Sequence, residues 1–138
     1  MNPNDLQTLQ GFVSRAQMRC ILDGCRGEEG NHFRAKLSEY TQRITEMPKT
    51  YETDGQGEAA IAQLHYFVGG CDLFITERDV DTDGEGQIQA FGLADLGYGP
   101  ELGYISIAEA IAHGAELDLY WTPRTVGDIR AEREQVPA

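Results

Sequence analysis

The stretch ERDVDTDGEGQIQAFG, residues 77–92, contains the side chains whose spacing most resembles a metal-binding motif. Asp79, Asp81 and Asp83 alternate and are followed by a glycine, as at the start of an EF-hand calcium loop. Such a loop ends with a bidentate glutamate at its twelfth position, where this chain has Ala90. Because Asp and Gly also favour turns, the stretch predicts an acidic hairpin loop without a metal.

Catalysis would require a nucleophile or a poised acid–base pair, and the sequence has no hydrolase, phosphate-loop or dinucleotide-binding motif. The three histidines, His32, His65 and His113, are far apart along the chain. We therefore expect a protein that is not an enzyme. The alternative is a small metal-dependent or hydrolytic enzyme that uses His65, Glu77 and Asp79.

Three cysteines, Cys20, Cys25 and Cys71, occur without CxxC spacing, which argues against a disulfide framework. Cys20, Cys25 and His32 lack an obvious fourth ligand for zinc, and their spacing fits no common zinc motif. We expect structural thiols, no metal and no cofactor.

The net charge of −12 is unevenly distributed. Residues 46–118 contain fifteen Asp and Glu but only two Lys and Arg, whereas residues 1–45 have a net charge of +1. A negative field repels nucleic acid and attracts basic protein surfaces. The sequence predicts a protein partner with a basic surface and no direct nucleic-acid binding. The acids expected to carry the docking are Asp72, Glu77, Asp79, Asp81, Asp83 and Glu85.

Aromatic side chains in the second half of the chain are candidate anchors for such a partner. Phe67, Phe74, Tyr120 and Trp121 are expected on the second face of a sheet, among carboxylates. Aromatic anchors inside an acidic rim are typical of protein-binding surfaces.

The local pattern predicts the elements that position these residues. Apolar spacing of three and four residues predicts two helices within residues 4–47. Alternation predicts strands in QLHYFV, DLFIT, QIQAFGLADL, LGYISI and LDLYW, and capping residues Ser106 and Thr125 begin two later helices. The expected fold is α+β: two N-terminal helices, then a mainly antiparallel four- to five-stranded sheet with helices packed on one face.

We expect one domain over residues 1–138, with a helical part at 1–47 and a sheet-containing part at 48–138. No apolar run is long enough for a membrane span, and the N-terminus has no secretory signal pattern, so the sequence predicts a cytoplasmic protein without a membrane partner. The oligomeric state stays open.

The stretches LHYFVGGCDLFITERD, QAFGLADLG, ELGYISIAEAI and ELDLYWTPRT together resemble a bacterial family catalogued as domain of unknown function twenty-nine fifty-eight. The resemblance covers about residues 46–130. Its members are carried by plasmids, conjugative elements and phages, and it has no established activity. The resemblance implies a mobile-element accessory protein that binds a basic protein surface. One form of this function would be inhibition of host defence by mimicry of DNA, as in anti-restriction or anti-CRISPR factors.

Overall fold

The computed structural model describes residues 3–80 and 87–134. Within these ranges five helices span Pro3–Leu9 (α1), Arg15–Arg26 (α2), Gly30–Glu46 (α3), Ile107–Ala112 (α4) and Val126–Glu134 (α5). The strands are Ile61–Ala62 (β1), Leu64–Val68 (β2), Cys71–Glu77 (β3), Ala90–Asp95 (β4), Pro100–Ile105 (β5), Glu116–Leu117 (β6) and Arg124–Thr125 (β7).

Five of the strands form one antiparallel sheet in the order β5-β4-β3-β2-β6. The two shortest remaining strands, β1 and β7, pair separately and antiparallel. β2–β3 and β4–β5 pair as hairpins because short turns join them, whereas residues 78–89 separate β3 from β4, and β6 pairs with β2 after α4. The predicted α+β class and the largely antiparallel sheet are confirmed.

One face of the sheet packs on the N-terminal helices. Leu64 and Tyr66 of β2 and Ile75 of β3 are buried in a cluster that includes Leu37 and Ile44 of α3. The Tyr66 hydroxyl donates to the backbone oxygen of Phe12, so that its buried polar atom has a partner. The main core therefore joins the helical part and the sheet.

The opposite face of the sheet is partly covered by α5. Phe74 of β3 and Leu93 of β4 pack with Val126 and Ile129 of α5, and Trp121 lies against them. The expectation that helices pack on one face describes α1, α2 and α3, whereas α5 lies on the other face. Phe74 and Leu93 require this cover because they are large apolar side chains that point away from the main core.

Where the sequence predicted two helices within residues 4–47, the structure has three, because the first apolar stripe is divided between α1 and α2. α1 ends at Leu9. The Ser14 side chain then caps α2 by accepting a hydrogen bond from the Gln17 amide at 3.0 Å. The predicted last strand is also shorter. The Asp118 side chain accepts from the Tyr120 amide at 2.9 Å, a local turn that ends β6 at Leu117.

Candidate functional site

The structure describes three of the six acids predicted to form a docking face, and it does not bring these three to one exposed surface. Glu77 and Asp79 are buried, each with 2% of its surface exposed, and Asp72 is half-buried. The other three, Asp81, Asp83 and Glu85, lie outside the described residues. Electrostatic contact with a partner requires exposure, so Glu77 and Asp79 do not supply it in this structure.

Glu77 holds the loop that follows α3. Its carboxylate accepts hydrogen bonds from the backbone amides of Tyr51 at 2.7 Å and Thr53 at 2.8 Å, and from the Thr53 hydroxyl. Tyr51 has a positive φ of 74°, which is unfavourable for a residue with a bulky side chain. The charge-assisted bonds stabilise that conformation and thereby position the Tyr51 ring.

Asp79 lies beside the start of the acidic loop. Its amide donates to Gln87 Oε1 at 2.7 Å, and its Oδ2 accepts from the Gln89 amide at 3.0 Å. The Thr50 hydroxyl contacts both flanks, since it accepts from the Val80 amide and donates to the Gln89 carbonyl oxygen. Both flanks of residues 81–86 are therefore anchored next to the loop that carries Tyr51.

Exposed aromatic and apolar side chains lie at the same end of the sheet. Tyr51 and Tyr104 are each 57% exposed, and Leu102 is 37% exposed. The Tyr104 ring meets the rings of Tyr51 and Phe91 edge-on, with centroids 6.5 Å and 5.4 Å away. Phe91 and Leu102 also line a cleft of about 310 Å³, together with Thr53 and other residues of the loop.

Exposed carboxylates occur in the same loop and strand as these side chains. Glu52, Asp54 and Glu101 are exposed and form no ion pair with any described residue. Asp54 lines the cleft. A hydrogen bond with Tyr51 raises the pKa of Tyr104 above its ordinary value, and the negative charge of Asp54 adds to this effect. We call this set the aromatic–acidic patch: Tyr51, Glu52, Asp54, Phe91, Glu101, Leu102 and Tyr104.

The aromatics predicted as anchors lie elsewhere. Phe74 is buried, and half-buried Trp121 packs on it and donates its ring N–H to the Ala62 carbonyl oxygen at 2.9 Å. Phe67 and Tyr120 are exposed. Tyr120 stacks on His32 and has the Lys36 ammonium 4.8 Å from its ring centre, away from β5.

His65 lies within a chain of charged groups beneath α5. Its Nδ1 is 2.9 Å from Asp118 Oδ2, and its Nε2 is 2.8 Å from Asp72 Oδ1. A carboxylate only accepts hydrogen bonds, so both contacts form together only when both ring nitrogens carry a proton. Glu77 and Asp79, the other residues of the alternative site, bond to the loops described above.

Arg133 of α5 completes this chain of charges. Its guanidinium bonds Asp72 and, at 2.7 Å, Asp95 Oδ2. The hydrogen bond from Arg133 holds the pKa of Asp95 below its usual value. Burial opposes the charge of Arg133, but the two carboxylates outweigh it and raise the pKa of the guanidinium. The charge network, defined as Asp118, His65, Asp72, Arg133 and Asp95, thus fastens α5 to the sheet.

The residues weighed as zinc ligands have separate surroundings. Cys20 is exposed and Cys25 is buried, while the His32 ring lies 3.0 Å from the Tyr120 hydroxyl. Across residues 3–80 and 87–134, no group of three or more His, Cys, Asp or Glu side chains is arranged to hold a metal ion. No helix in the same ranges is long and apolar enough to cross a membrane.

No protein-family model matches the chain, and neither a curated protein nor a solved structure shows significant similarity to it. The resemblance to the family of unknown function therefore stays a prediction.

Proposed function

We propose that this protein is a non-enzymatic binding protein that docks on a basic protein surface through the aromatic–acidic patch. The observation that carries the proposal is the exposure of Tyr51, Leu102 and Tyr104 beside carboxylates that no described cation neutralises. Aromatic side chains give affinity when they are buried against a partner, and the surrounding charges select a partner surface of opposite charge.

Two features support placing the docking at this end of the molecule. Both flanks of residues 81–86 are anchored beside Thr50, next to the loop that carries Tyr51. Asp81, Asp83 and Glu85 lie outside the described residues, and their part in docking stays a prediction. Glu77 is assigned a positioning role because it holds Tyr51 in its unfavourable backbone conformation. Asp72 is assigned to the charge network instead of the docking surface.

The family resemblance supports a function among accessory proteins of mobile genetic elements, in the cytoplasm. Inhibition of a DNA-binding host-defence protein is the form of this function that the resemblance implies. Mimicry of DNA would depend on exposed carboxylates, which include Asp54 and Glu101 but exclude the buried Glu77 and Asp79. The acidic surface also supports the absence of direct nucleic-acid binding.

The proposal is tested with a short fluorescent peptide in which lysine and valine alternate, measured by anisotropy. The double variant Asp54→Lys/Glu101→Lys is expected to lose at least about tenfold in affinity. The matched control, Asp23→Lys/Glu28→Lys, changes the net charge equally at exposed acids of the helical part and is expected to stay within about twofold. A peptide alternating glutamate and valine should not bind.

Equal losses in the two double variants would show that only net charge matters and would contradict a defined docking patch. Failure of the unmodified protein to bind the lysine peptide would contradict the proposed function as a whole.

A further inference from the structure

The exposed edge of the sheet next to the patch is a strand of six residues. β5 pairs with β4 on one side and is the last strand of the sheet, whereas the other edge strand, β6, has two residues. Proteins usually protect long edges with charges or bulges, yet β5 has Glu101 as its single charged residue. Such an edge can accept another extended chain through backbone hydrogen bonds.

Clefts lie on both faces of this edge. The register of β5 on β4 pairs Leu102 with Leu93 and Tyr104 with Phe91, so these side chains share the α5 face. The cleft of about 310 Å³ at Phe91 and Leu102 lies on this face. Glu101, whose side chain projects to the face opposite Leu102, lines a second cleft of about 300 Å³ together with Leu102, Ala94 and residues of the β4–β5 turn.

This arrangement matches the alternation of side chains along a strand. Successive residues of an added strand would project to opposite faces and would meet the two clefts in turn. Asp54 lines the first cleft and Glu101 the second, so a carboxylate is present on each face. A second copy of the chain would bring another acidic segment, with fifteen Asp and Glu in residues 46–118, to this edge, whereas a basic segment would neutralise Asp54 and Glu101.

We propose that the partner's contact element is an extended segment, with basic and apolar residues alternating, that adds to β5 as an antiparallel sixth strand. This inference rests on the proposed function and names the partner segment it requires. The apolar residues lie over Leu102 and Tyr104, and the basic residues pair with Glu101. The antiparallel direction continues the pairing of the whole sheet.

Backbone methylation of the lysine–valine peptide tests strand addition without altering the protein. One peptide is N-methylated at its valines and the other at its lysines, so each version removes the amide hydrogens along one edge of the strand. Strand addition predicts that only the version methylated on the edge facing β5 loses affinity. The expected loss is about tenfold or more, since several backbone hydrogen bonds disappear together. The other version should bind within about threefold of the parent peptide.

Equal affinity of the two methylated peptides, whether retained or lost, would overturn strand addition. The proposed function would still hold if the parent peptide binds and Asp54→Lys/Glu101→Lys weakens it. Sedimentation of the protein alone gives the remaining outcome. A dimer that Leu102→Lys dissociates, while Tyr120→Lys at the exposed ring beside α3 leaves it intact, would identify a second copy as the occupant and overturn the proposal.

Discussion

At the residue scale, two buried or half-buried carboxylate systems determine what the acidic side chains can do. The Glu77 carboxylate bonds to Tyr51 and Thr53, and the Asp72 carboxylate bonds to His65 and Arg133. These acids stabilise loops and α5, which leaves the contacts with a partner to exposed acids that have no cation nearby. The sign of a residue's charge therefore says less about its role than its burial does.

Replacement of Arg133 by glutamine is expected to destabilise the fold. The substitution leaves Asp72 and Asp95 half-buried without their cation, and we expect a loss of about 1–2 kcal/mol, between the values for exposed and buried pairs. Urea unfolding measures the change. The control Arg26→Gln, at an exposed arginine without an ion pair among the described residues, should stay within about 0.5 kcal/mol of the parent.

The stability that Asp95 contributes should depend on pH. Arg133 lowers the folded-state pKa of Asp95 from an ordinary value of 3.8, so the unfolded chain takes up the proton first as the pH falls. The contribution is present above pH 3.8 and disappears as the pH falls through the lower folded-state value. The difference in unfolding free energy between the parent and Arg133→Gln should therefore shrink on acidification below pH 3.8. A constant or growing difference would contradict this assignment.

Glu77→Gln tests the positioning of Tyr51. The amide keeps the size of the side chain but turns one acceptor oxygen into a donor that faces other donors, and we expect a loss of about 1–3 kcal/mol. Thermal unfolding gives the stability, and hydrogen exchange should show faster exchange at the Tyr51 and Thr53 amides. Unchanged exchange at these amides would contradict the role of Glu77 in holding the loop that carries Tyr51. The exposed Glu101→Gln serves as the neutral control.

At the element scale, the parts of the fold set by neighbouring residues could be predicted from the sequence. The Ser106 and Thr125 caps are confirmed, since each side chain accepts from an amide three residues later. β2 and β3 pair through the Gly69–Gly70 turn, and β2 follows its alternating pattern, whereas β3 is buried on both faces. Hydrophobic spacing could not reveal the break before Ser14, because the apolar residues of α1 and α2 continue one periodic stripe.

Contacts between distant elements were not predictable in the same way. The ring of Tyr51 meets the ring of Tyr104, and Glu77, from a third segment, holds the loop that carries Tyr51. The pairing of Arg133 with Asp72 likewise depends on α5 crossing the face opposite the N-terminal helices. Acid-rich sequence suggested an exposed face, but the burial of Glu77 and Asp79 arises from loop amides that lack other partners.

At the scale of the whole molecule, the acidic residues are concentrated in one part of the chain, and this suits docking in one orientation. The fifteen acids within residues 46–118 belong to the part that contains the main sheet, whereas the N-terminal segment, residues 1–45, is nearly neutral. The patch combines that negative field with aromatic side chains at the β5 edge. A basic partner would be drawn by the long-range field and held by the short-range contacts.

Binding of the lysine–valine peptide should therefore weaken with salt. We expect roughly a tenfold loss of affinity when the ionic strength rises from about 50 mM to about 300 mM, since screening shortens the reach of exposed charges. A residual affinity should persist from the aromatic contacts and should fall further in Tyr104→Ser. Affinity that is independent of salt would contradict the electrostatic part of the account.

Chemical-shift mapping of the protein during titration with the lysine–valine peptide tests the central claim most directly. Docking at the aromatic–acidic patch predicts that the perturbed amides cluster at residues 51–54, at Phe91 and along β5, with a saturable response. Perturbations centred on the charge network around His65, or spread evenly over the exposed acids of the described chain, would contradict it.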